Sequence, residues 1–141
     1  MSWKSFLSAV NTSAQALTVN SIVSVSELLS NGCAITFGGG TAPIRLRRQG
    51  LYLVDVTANI LGTTAGDVVL QLLNNSTAIQ GATAQITVAE GNTYNAHITA
   101  LVSVPPSCSC QNNFNNIQLQ LLNVPATINS VRIDVAKLGC E

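Results

Sequence analysis

Apolar residues recur at every second position along most of this chain, which is the period of a strand with one buried face. The clearest run is Leu51 to Ile60. Tyr52, Val54, Val56, Ala58 and Ile60 share one side of it, while Asp55, Thr57 and Asn59 share the other. The first set is expected in the core. Near the C-terminus Val131, Ile133, Val135 and Lys137 alternate in the same way with Arg132, Asp134, Ala136 and Leu138. Shorter segments fit the pattern at Leu17 to Val25, Cys33 to Phe37, Pro43 to Leu46, Asp67 to Leu73, Ala84 to Val88, Asn92 to Val104 and Ile117 to Leu122. The breaks between them carry turn chemistry: Ser30-Asn31-Gly32, the glycine triplet 38 to 40, Asn74-Asn75, Glu90-Gly91-Asn92, Pro105-Pro106 and Pro125. Many short strands with no helix between them predict an all-β, two-sheet antiparallel sandwich.

Residues 1–13 read differently. Ser2 is a helix-capping residue type, and Trp3, Phe6, Leu7 and Val10 fall at i, i+3, i+4 and i+7, so a short amphipathic helix is predicted. Two turns of helix are marginal alone. The segment is therefore expected to act as a docking arm against its own domain, sister subunits or a larger assembly, with residues 14–141 forming one domain.

Composition adds a constraint on the surface. Of 141 residues only 9% are charged, six basic against six acidic, while 47% are hydrophobic. A monomer's surface ordinarily carries about a quarter or more Lys, Arg, Glu and Asp, so self-association is expected to cover part of this one. The zero net charge supplies no footprint for nucleic acid. Arg45, Arg47 and Arg48 hold half of the basic charge; a grip on a carboxylate or phosphate is one reading and a solvated edge the other. No stretch is long and apolar enough for a membrane-spanning helix, and the first ten residues lack the pattern of a secretory leader.

Little in the sequence suggests catalysis. Cys33, Cys108, Cys110 and Cys140 have the most chemical potential, and three readings stay open: a structural disulfide, a tetrathiolate zinc site, or unpaired thiols. The Cys108-Ser109-Cys110 spacing is tighter than the two-residue gap that zinc chelation favours. His97 is the single histidine and has no nucleophile or acid close to it in sequence, so it is read as a surface or interface imidazole. The carboxylates are scattered, and the glycine triplet is not followed by the Lys-Ser/Thr of a phosphate loop. Three Asn-x-Ser/Thr triplets, starting at Asn11, Asn74 and Asn75, are expected to be bare. No catalytic residue, cofactor or resident metal is expected.

Two phrases carry a family resemblance. Ile44 to Val54, with its strand, Gly50, Tyr52 and alternating continuation, resembles the corresponding segment of C1q/TNF-like jelly rolls. Val69 to Thr83, a strand followed by an Asn-rich turn and an Ile-Gln-Gly return, resembles the globular head of spore-surface collagen-like glycoproteins and related structural proteins of Firmicutes phages. The resemblance implies a jelly roll of ten strands in two sheets, three copies about a threefold axis, and apex loops free for contact. It implies no enzyme activity. The sequence lacks the Gly-x-y collagen stalk of the spore proteins.

The expectation is thus a non-enzymatic homotrimeric structural or adhesion protein: a phage decoration or head-fibre module, made in the bacterial cytoplasm and released by lysis on the virion. Its expected partners are its own copies, a phage capsid or tail protein, and a host-surface glycan. A carbohydrate or small-ligand binding C1q-like module and a spore-surface (exosporium) protein are the alternatives.

Overall fold

A computed structural model describes residues 5–105 and 115–138, and the described residues form eleven strands. These are β1 (Phe6–Asn11), β2 (Gln15–Leu17), β3 (Ser26–Asn31), β4 (Ile35–Phe37), β5 (Ile44–Leu46), β6 (Gly50–Gly62), β7 (Gly66–Asn74), β8 (Thr77–Val88), β9 (Thr93–Val104), β10 (Asn115–Leu122) and β11 (Ala126–Lys137). One sheet runs β3-β1-β11-β6-β9, with β2 also paired to β11, and the other runs β4-β5-β10-β7-β8. Every pairing is antiparallel. The architecture is the two-sheet jelly-roll sandwich.

The alternation read from the sequence places the core. Tyr52, Val54, Val56, Ala58 and Ile60 of β6 are all buried, and so are Val131, Ile133 and Val135 of β11. They meet Val68, Leu70 and Leu72 of β7 and Ile117, Leu119 and Leu121 of β10 in one hydrophobic cluster. Burying a side chain of this size stabilises the fold by about 1.5–3 kcal/mol. The Tyr52 hydroxyl avoids an unmade hydrogen bond by donating to the Arg48 carbonyl at 2.7 Å, and burial pushes its pKa above the usual phenol value.

The N-terminal helix is corrected to a strand. β1 pairs with β11 from Phe6↔Ala136 to Asn11↔Val131 and with β3 on its other side, so it lies inside the sheet. In an extended chain neighbours point to opposite faces. Leu7 therefore fills the core while Phe6 and Val10 face outward, so these three residues grouped by helical spacing do not share a face. Trp3 lies outside the described residues.

Other boundaries also moved. β3, with the sequence Ser-Glu-Leu-Leu-Ser-Asn, was not among the predicted strands; it is an edge strand without a buried face, and a register shift leaves Leu28 as the extra residue opposite β1. Such a bulge blunts an edge against further pairing. Gly81 sits within β8 at φ +82°, where the register against β7 shifts between Gln71 and Leu73, and β8 extends well before the Ala84 at which a strand was expected to begin. The Asn74-Asn75 turn is a two-residue hairpin with Asn75 and Ser76 both at positive φ, a geometry that suits the right-handed twist of the strands it joins.

Candidate functional site

Outside the core, the face of the β1-β11-β6-β9 sheet is banded along the strand direction. Cross-strand pairing sets the bands, since residues in one row lie side by side on the same face. The first row is Phe6, Ala136, Leu53 and Leu101, drawn from β1, β11, β6 and β9. The second is Ser8, Asp134, Asp55 and Thr99, with Leu29 of β3 opposite Ser8. The third is Val10, Arg132, Thr57 and His97. Beyond it stand Asn59 and Asn95, linked by a 3.0 Å hydrogen bond, with Asn129 donating to Asn59 at 3.0 Å.

The apolar band is open to solvent. Phe6 is 38% exposed, Leu29 47% and Leu101 58%, and Leu51 and Leu138 continue the band at its outer end. Scattered exposed leucines are ordinary, but a contiguous patch of them on one sheet face marks an interaction surface. A groove of about 270 Å³ runs through it, lined by Phe6, Leu29, Leu53 and Ala136 on the apolar side and by Asp55, Arg132 and Asp134 on the polar side. A second groove of about 400 Å³ lies toward the asparagine end, lined by Thr12, Thr57, Asn59, Asn95, Ser130 and Arg132 among others.

The ionic groups on this face are paired within it. Arg132 Nε lies 3.0 Å from both carboxylate oxygens of Asp134, which also accepts the Ser8 hydroxyl. Asp55 Oδ1 lies 2.5 Å from His97 Nε2 and accepts the Thr99 hydroxyl at 3.0 Å. His97 is exposed, and its partner comes from 42 residues away, through the register of β6 against β9. No local sequence signal announces that pairing. A histidine, a carboxylate and a threonine also occur together in hydrolytic sites, but here they stand on an open sheet without a water-excluding pocket.

Of the four cysteines, Cys33 is exposed in the link between β3 and β4, where its Sγ accepts from Arg48 Nη2 at 3.1 Å. Cys108, Cys110 and Cys140 lie outside the described residues. Among the described residues no group of three His, Cys, Asp or Glu side chains is placed to hold a metal, and no helix is long and apolar enough to cross a membrane. The glycine triplet forms a turn, with Gly39 and Gly40 at φ +89° and +67° and Gly40 bridged to Val25.

Comparison with known proteins places the fold. No family model matches the chain, and no curated protein matches it. Solved structures do. The chain is similar to the PRD1 vertex protein P5, at 19% identity and a TM-score of 0.65 over 96% of this chain and 97% of that one. It is similar to murine APRIL, at 12% identity and 0.69 over 96% and 100%, and to the globular domain of zebrafish complement 1qA, at 10% identity and 0.67 over 97% and 98%. At such identities the likeness is one of fold: the chain has the jelly-roll sandwich seen in TNF-like and C1q-like proteins.

Proposed function

We propose that this protein is a non-enzymatic homotrimeric structural or adhesion module mounted on a phage particle, as a decoration or head-fibre protein. The observation that carries the reading is the exposed band of Phe6, Leu29, Leu51, Leu101 and Leu138, with half-buried Leu53 among them, on one sheet face of a chain with few charges. Copies packed about a threefold axis cover such a face, which is the arrangement that the C1q/TNF resemblance implies. The likeness to a protein named as a vertex protein supports a place on a particle. The carboxylates read as scattered in the sequence are not all apart, since register brings Asp55 beside Asp134, but both stand on an open face and are held by His97 and Arg132, which supports a role without catalysis. The residues before β1, Trp3 among them, are the proposed attachment arm; Phe6 belongs to the apolar band and Leu7 to the core.

The reading is tested by mass spectrometry of purified virions from cells in which the gene is expressed. The chain should be retained on particles through a density gradient at a stoichiometry divisible by three. Its absence from particles and presence in spore surface layers would favour the exosporium alternative. A second reading is favoured by the 400 Å³ groove, where Thr12, Thr57, Asn95 and Ser130, of the kind that hydrogen-bond sugar hydroxyls, stand beside the apolar Val10, Ala58 and Val131. A glycan array separates the two, because a purely structural trimer binds no sugar on it.

A further inference from the structure

Three strands of the proposed interface bring four ionisable side chains into two adjacent rows. Asp55 and Asp134 are direct partners on β6 and β11, a placement in which like charges repel. Arg132 holds Asp134 and His97 holds Asp55. Among the described residues, the other charged groups of this sheet lie elsewhere: Lys137 of β11 against Gly50, and Glu27 of β3 on the Ser30 hydroxyl. β1 and β8 carry no charged residue, and neither β6 nor β9 has any beyond Asp55 and His97. Tyr94 of β9 packs against the core with its hydroxyl on the Ala89 amide, and Tyr52 of β6 is buried.

We propose that self-association through this face is proton-linked and strengthens as pH falls through the range in which histidine gains its proton. The inference rests on reading the face as the trimer interface. With His97 neutral, two carboxylates face one guanidinium and the four groups sum to −1; with His97 protonated they sum to zero. In the single chain the His97 and Asp55 side chains are 63% and 40% exposed, so water screens the surplus charge. A neighbouring copy that covers the adjoining apolar row removes that water. An unbalanced charge is then far costlier to cover than a balanced set. The assembled state therefore holds the His97 proton more tightly than the separate chain does. By linkage, lowering the pH favours assembly.

Sedimentation velocity of the full chain over a dilution series, at about pH 5.5 and about pH 8, reads the effect. The midpoint concentration for assembly should fall about tenfold at the lower pH. His97→Gln should remove the difference. Asp55→Asn should reverse it: Asp134 and Arg132 then balance without a proton, and protonated His97 becomes a surplus positive charge. Both side chains are exposed, so circular dichroism should show both variants folded. If assembly is complete at every dilution, exchange of labelled subunits between oligomers reads the same difference and should be slower in acid. Equal behaviour of the wild-type protein at the two pH values, or an unreversed trend in Asp55→Asn, overturns the proposal while leaving the trimer standing. A wild-type chain that stays single throughout overturns the trimer reading itself, and this one with it.

Discussion

The two sheets turn very different faces to solvent. On the β10-β7-β8 side the outward residues are mostly uncharged polar groups that satisfy one another: Gln71 donates to Gln120 at 2.9 Å, Gln85 to Asp67 at 3.2 Å and Thr87 to Asp67 at 2.6 Å. Gln118 and Gln120 reach across to the carbonyls of Thr41 and Asn20. On the β11-β6-β9 side leucines and a phenylalanine stand beside a paired ionic row. The same fold thus carries one face whose polar side chains largely pair with one another and one whose apolar area gains from being covered. Of the seven exposed large hydrophobics among the described residues, five, Phe6, Leu29, Leu51, Leu101 and Leu138, fall on or beside that second face.

The contrast can be broken by placing charge on each face in turn. Glutamate at both Leu53 and Leu101 should leave the fold intact but abolish assembly, since each association would bury unpaired charge at a cost of several kcal/mol. Light scattering should find single chains. The matched double change on the other sheet, Gln71→Glu with Thr83→Glu, should leave the oligomeric mass as it was.

A smaller effect sharpens the account of the polar face. Asp67→Ala removes the acceptor of both Gln85 and Thr87, so thermal or urea unfolding should register a loss of about 1–2 kcal/mol, with assembly unaffected. The smallest expected change is a gain. Ser76 sits at φ +67° in the β7-β8 hairpin, where glycine is at ease, and Ser76→Gly should stabilise the chain by a few tenths of a kcal/mol up to about 1 kcal/mol. A loss of stability there would mean that the Ser76 side chain makes a contact worth more than the backbone strain.

How far the sequence revealed these features depended on whether a signal was local. β6 and β11 were legible because strict alternation over about ten residues is itself the physical cause of a half-buried strand. β1 misled for a definite reason. Both of its faces are partly apolar, Leu7 and Ala9 inward and Phe6 and Val10 outward, so with Trp3 its residues also satisfy a helical spacing. Pairing with β11, more than a hundred residues away, decides the matter, as the Ser8 to Asp134 hydrogen bond illustrates. β3 gave no alternation because neither of its faces is buried. The ionic row was illegible for a further reason: Asp55, His97 and Asp134 become neighbours only through strand register, which no single segment encodes. What the sequence offered was the scarcity of charge, from which a surface partly covered by self-association was expected.

The central claim is that identical copies cover the β11-β6-β9 face. Multi-angle light scattering of the wild-type protein at micromolar concentration tests it most directly. The account predicts a single species of three times the 14.7 kDa chain mass. A monodisperse peak at one chain mass would contradict it.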